Sequence, residues 1–209
     1  MTAPAIHLKQ TSLYVLGGSM SRQRTVERRV LKVADRLFYQ KGIRAVGIDE
    51  LIREADIAKA SLYQNFGSKE EIVARYLQAR SDKNIGALRS AVEDAPNAPE
   101  ARVAAMFKEL EHMTSGADFR GCAFANACAD LSESARVVEI SRDYKQAIND
   151  LFKVALGEGV AGAEGLAEQF CYLFDGAIVH RNLRQDMDAA TKAAAAAMAL
   201  IAASTTEAS

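Results

Sequence analysis

Tryptophan is absent from this 209-residue chain, and proline occurs only three times. With so little proline, and long stretches free of glycine as well, the punctuation that short strands require is missing and helix is favoured over sheet. Three cysteines, Cys122, Cys128 and Cys171, are an odd number without CxxC spacing, which excludes a disulfide framework as the organising feature. Cys122 and Cys128 lie about 240° apart around one helix, so they cannot pair within it. The three histidines, His7, His112 and His180, have no metal spacing such as HExxH. No Ser/His/Asp, P-loop or dinucleotide signature is found, so the chain does not read as an enzyme and no metal or cofactor is expected. There is no run of about 18 apolar residues and no convincing secretory pattern. The expectation is a cytoplasmic protein with reduced thiols and no membrane partner.

What is present is a hydrophobic content of 49%, enough to build a buried core, and a net charge of −1 that conceals an asymmetry. From Met20 to Arg80 there are 13 Lys and Arg against 8 Asp and Glu; from Ser81 to the end there are 12 against 19. A basic first third on an acidic remainder suits a head that binds a polyanion and a body that does not touch it.

The clearest helical periodicity is Val26, Val30, Val33, Ala34, Leu37 and Phe38, an apolar stripe on a first helix over about 22–41 that ends at Gly42. Residues 1–21 are poorly patterned and read as a flexible extension, with Gly17-Gly18 as a possible joint. Arg28, Arg29, Lys32 and Arg36 lie on the other face of the first helix, near phosphates or simply solvated. Two short helices follow over about 48–55 and 59–66, the first burying Leu51, Ile52 and Ala55 and the second Leu62 and Phe66. Only Asp56-Ile57-Ala58 separate them, so they must cross steeply, with Ile57 filling the corner. Ser68-Lys69-Glu70-Glu71 has the capping-box form and opens a long fourth helix that runs to about Val92. After a break at Pro96 and Pro99, further helices are expected over about 100–115, 120–131, 134–156, 163–185 and 188–203.

This is helix-turn-helix geometry, in which the second short helix enters the major groove and its outward residues meet base edges and phosphates. The outward set is Lys59, Ser61, Tyr63, Gln64 and Asn65, with Lys69 placed to hold a phosphate at the start of the fourth helix. Arg44 and Gly47, at the entry to the second helix, complete the DNA-binding candidates. The segment from Arg22 to Ile72, and above all SLYQNFGSKEEI from Ser61 to Ile72, resembles the DNA-binding signature of the TetR/AcrR family of repressors. That resemblance implies an all-α homodimer with an N-terminal three-helix DNA-binding domain and a C-terminal pocket for a small inducer. By position in the motif it also implies DNA roles for Lys59, Ser61, Tyr63, Gln64, Asn65 and Lys69. Three residues depart from the family pattern: Gly47 where a Ser or Thr cap is usual, Asp56 where Gly is usual, and Ala58 in place of Ser. Asp56 can still take positive φ, but backbone amides must serve at Gly47.

In the remainder, Phe119 to Cys128 resembles, more loosely, a segment of that family's C-terminal domains. Phe124 and Asn126 are candidate pocket contacts, with plain helix packing as the alternative. Met106, Leu110 and Met113 form a soft apolar stripe that serves either core or ligand. Tyr172 and Asp175 are further ligand candidates, and Asp175 could instead pair with Arg181 or a partner chain. The helices over about 134–156 and 163–185 are long enough to pair with their copies in a four-helix interface, as the resemblance implies. The reading is therefore an all-α chain: an extension over 1–21, a helix-turn-helix domain over 22–68, and a ligand-binding and dimerisation domain over 69–209. Its expected partners are double-stranded DNA, a small-molecule effector and a second copy. Its expected activity is that of a transcriptional regulator, a repressor released from a palindrome by an inducer. The alternative is a helical ligand-binding protein or enzyme that never meets DNA.

Overall fold

Gly42 adopts φ +86°, the left-handed conformation that lets a chain leave a helix without a Cβ clash, and it stops the first helix where the sequence predicts. The computed structural model describes the backbone of residues 11–207 and the side chains of residues 23–204. Among these residues there are nine helices and no strand: α1 (Thr11–Lys41), α2 (Ile48–Ala55), α3 (Lys59–Phe66), α4 (Lys69–Asp94), α5 (Pro99–Thr114), α6 (Ala123–Asp130), α7 (Ala135–Leu156), α8 (Ala163–Arg184) and α9 (Ala189–Glu207). The all-α expectation holds, and from α2 onward each helix lies within about one turn of its predicted bounds. Pro99 occupies the first turn of α5, where its missing amide hydrogen costs nothing.

One expectation is corrected. The start near Arg22 and the flexible extension over 1–21 do not hold for residues 11–21, which are helical, so Gly17 and Gly18 lie inside α1. Periodicity reports a packed face, whereas the helix itself is a backbone hydrogen-bond pattern that glycine weakens by about 1 kcal/mol without breaking. Residues 1–10 of the expected extension lie outside the described residues.

The head is built on the predicted stripe. Val30, Ala34, Leu37 and Phe38 of α1 are buried against Leu51 of α2, Leu62 and Phe66 of α3, and Ile72 and Tyr76 of α4. Phe38 meets Tyr76 edge to face at 5.6 Å, which ties α1 to the helix that leaves the head. Further along α4, Leu88 and Val92 belong to the second half of the core. There Phe107 of α5, Phe152 of α7, and Phe170 and Phe174 of α8 form one aromatic cluster with ring centroids 5.5 to 6.1 Å apart. α9 lies on α5 and α8 through Ala189, Ala193, Ala197 and Ile201, spaced four apart on one face; the small side chains let the backbones approach closely. No helix among the described residues is long and apolar enough to cross a membrane.

Candidate nucleic-acid interface

The turn between α2 and α3 is shaped by Asp56, whose φ of 49° and ψ of 60° place it in the left-handed region, as its position required. Its amide donates to the Arg53 carbonyl at 3.2 Å and that of Ile57 to the Ile52 carbonyl at 3.3 Å, closing the C-terminus of α2 without glycine. The Asp56 carboxylate also accepts from Arg29 at 2.8 Å, so a residue unusual for this turn is held from α1. α3 then begins at Ala58, which has extended backbone and no side-chain cap; its carbonyl accepts from Ser61 at 3.0 Å and Leu62 at 3.2 Å. Gly47 likewise caps α2 without a side chain, as expected.

Leu62 and Phe66 fix the inward side of α3. Its exposed side is Lys59, Ala60, Tyr63 and Gln64, a contiguous patch at helical spacing in which Tyr63 retains 45% exposure. Ala60 was not singled out by sequence reasoning because it carries no polar atom. Its i, i+4 relation to Gln64 was the available signal, and a methyl there can meet a thymine methyl. Lys59 pairs loosely with Asp49 at 3.3 Å, both side chains largely exposed, an attraction weak enough to yield to a phosphate.

The other candidates are placed differently. Ser61 and Asn65 are half-buried, and the Asn65 amide donates back along its own helix to the Ser61 carbonyl at 2.7 Å. A bidentate contact to adenine needs both halves of an amide, so Gln64 is the better placed of the two. Lys69 is half-buried and donates to the Ile43 carbonyl at 2.7 Å. Loss of solvent lowers its pKa from the ordinary lysine value, opposed by the charge of Asp130. One of its three donors thus braces the α1–α2 loop. Arg44 donates to the Asp130 carbonyl and to both carboxylate oxygens of Glu133 at 3.1 Å, apart from the α3 patch. Of the α1 cations, Arg29 pairs with Asp56 and Arg36 with Glu54 at 2.9 Å, so part of the positive excess of the head is taken up by α2 and its turn.

The start of α4 is half the predicted capping box. Ser68 Oγ accepts from the Glu71 amide at 3.1 Å, but the Glu71 carboxylate does not reach back. It accepts from Arg75 at 2.7 Å and from Arg136 of α7, and these hydrogen bonds, Arg75 first, hold its pKa below the ordinary glutamate value. Two cations, Arg75 on the same helix and Arg136 on α7, outcompete one backbone amide.

A cavity of about 400 Å³ lies between α4, α5, α6 and α7. Of the ligand candidates, Leu110, Met113 and Phe124 line it. Four other ligand candidates do not. Met106 is fully buried in the core between the helices. Asn126 is exposed and donates to the Arg120 carbonyl at 3.0 Å; two residues along α6 from Phe124, it points some 200° away. Tyr172 is 66% exposed and donates to Glu168 at 2.6 Å. Asp175 is bound by Lys145 of α7 rather than by Arg181. Sequence reasoning missed Arg80, Lys83, Asn84 and Tyr144 in the lining, and also Tyr39, which belongs to α1, donates to the Gly121 carbonyl and accepts from the Arg120 amide, both at 2.9 Å.

Residues 30–76 match the family model for bacterial regulatory proteins of the tetR family. Over 90 residues the chain is 35% identical to the HTH-type transcriptional activator FasR of Mycolicibacterium smegmatis, covering 42% of this chain and 41% of that one. Over 86 residues it is 31% identical to the HTH-type transcriptional repressor KstR2 of Mycobacterium tuberculosis, covering 40% of this chain and 43% of that one. The match thus spans less than half the length of either relative. The crystal structure of a TetR-family transcriptional regulator from Streptomyces coelicolor superposes with a TM-score of 0.78 at 25% identity, covering 87% of this chain and 97% of that chain.

Proposed function

We propose that the chain is a member of the TetR family of bacterial regulatory proteins and acts as a dimeric transcriptional regulator that sets α3 into the major groove and leaves its operator when a small molecule fills the cavity. The observation that carries this reading is the exposed patch of Lys59, Ala60, Tyr63 and Gln64, held rigid from behind by Leu62 and Phe66. Tyr63 and Lys59 serve phosphates and Gln64 reads a base. Lys69 assists by fixing the loop through Ile43 as well as by its charge.

One such helix covers few base pairs, so useful affinity needs two heads about 34 Å apart on one face of the duplex. Support for pairing comes from α8, where Tyr172, Val179 and Leu183 leave an uncovered apolar stripe, and from α7, where Val154 is exposed as well. Those are the two helices expected to form a four-helix interface, and Tyr172 is better explained there than in a ligand site.

An effector can release DNA only through different affinities for two arrangements of the heads. The contacts that could carry this preference lie at both ends of α6. Before it, Tyr39 joins α1 to Arg120 and Gly121. At its end, Asp130 accepts from the Ile43 amide at 2.6 Å, and its carbonyl holds Arg44. Phe124 of α6 lines the cavity between these two links.

Duplexes selected from a random pool test the function directly. The expected result is a palindrome whose half-site centres lie about one helical turn apart, bound with an affinity that falls steeply with salt. Recovery of no enriched duplex would favour the helical protein that never meets DNA. Repression is proposed over activation; reporter transcription from the selected site decides, with increased expression as the result that reverses it.

A further inference from the structure

Four aromatic residues from three helices and a loop gather at the cavity: Tyr39 of α1, Phe119, Phe124 of α6 and Tyr144 of α7. Phe124 and Tyr144 lie face to face with centroids 3.7 Å apart and planes within 12°, a flat, largely buried aromatic pair in the cavity lining. The polar groups are concentrated elsewhere. Arg80, Lys83 and Asn84 stand at i, i+3 and i+4 on one face of α4 and line the cavity together. Arg80 is positioned from two sides, stacked over the Tyr39 ring at 4.0 Å and donating to Asp35 at 2.7 Å, which leaves further guanidinium donors for another acceptor. Asn84 donates to the Tyr144 hydroxyl at 3.3 Å, and Lys83 has no ion-pair partner among the described residues. The carboxylate on the lining, Glu109, lies 3.7 Å from His112 on its own helix.

We infer that this cavity takes a small planar organic acid: an aromatic or conjugated body against Phe124, with its carboxylate on Arg80, Lys83 and Asn84. This deepens the effector reading above and rests on it. The charge balance decides between ligand classes. A cation would meet Arg80 and Lys83, whereas a neutral ligand would gain nothing from the exposed Lys83 ammonium. A carboxylate accepts from guanidinium, ammonium and amide together, the strongest combination available to a planar acceptor. The volume of about 400 Å³ is near the lower end for ligand pockets, which limits the body to one or two rings.

The full-length protein is titrated calorimetrically with benzoate, cinnamate and 2-naphthoate, and in parallel with the carboxamide of each, which keeps the shape and removes the charge. At least one acid should bind about tenfold more tightly than its own amide. That preference should collapse in Arg80→Gln and in Lys83→Gln; the latter changes an exposed side chain and retains the test if the Arg80 variant folds poorly by circular dichroism. Binding of no acid, equal binding of acid and amide, or a preference that survives in Lys83→Gln overturns the inference. Gel shifts with the selected duplex separate this failure from that of the regulator reading. DNA binding without acid binding sinks only the ligand class, and acid binding without DNA binding sinks only the regulator.

Discussion

α3 and α8 both leave one face uncovered, and the two faces differ in kind. On α3 the uncovered side chains are Lys59, Ala60, Tyr63 and Gln64, small or polar groups able to exchange water for phosphates and base edges. On α8 they are Tyr172, Val179 and Leu183, with Leu183 at 75% exposure, groups that gain from leaving water altogether. The contrast separates two kinds of binding surface. A polar face on a short, well-anchored helix suits a hydrated, charged partner. An apolar stripe on a long helix whose other side is already packed suits another apolar stripe, and a second copy supplies one by symmetry.

The largest effect should come from the covered side of α7, where Phe152 sits inside the aromatic cluster. Phe152→Ala should lower unfolding stability by about 3–5 kcal/mol, read from urea denaturation. Next, Leu183→Glu puts a charge into the uncovered stripe. It should leave the helical signal intact but weaken association by on the order of 2 kcal/mol, shown by sedimentation as a shift towards monomer. An unchanged dimer would mean the α8 stripe has another partner. On α3, Gln64→Ala should relax preference at one base per half-site by about 1–3 kcal/mol while Tyr63→Ala weakens all duplexes alike, as read from repeated duplex selection. An unaltered profile for Gln64→Ala would remove its reading role. The smallest change is a gain: Ala58→Ser restores a side-chain cap to α3 and should stabilise the protein by about 1 kcal/mol in thermal unfolding.

The head was legible nearly residue by residue. Leu62 and Phe66 at i, i+4, the three-residue turn and the Ser68 cap are short-range features whose hydrogen bonds close within a few residues of chain. Even there, the partners of charged side chains were not legible. Glu71 turns to Arg136, 65 residues away, and Arg44 to Glu133, 89 residues away. The candidate cavity was harder still. Leu110, Met113 and Phe124 line it, but Met106, on the same apolar stripe, faces the core. Tyr39 was missed because nothing near it in the chain points to Gly121, 82 residues on.

The sequence alone determined the helices from α2 onward, the helix-turn-helix and the inward side of α3, because periodicity, caps and a left-handed turn act over distances of a few residues. Only the tertiary structure decided that Lys69 braces Ile43, that Asp130 links α6 to the head, and that Tyr39 and Arg80 meet at one cavity. Those outcomes depend on which helices become neighbours, and helix packing is set by the whole apolar surface together, so no local pattern of residues encodes it.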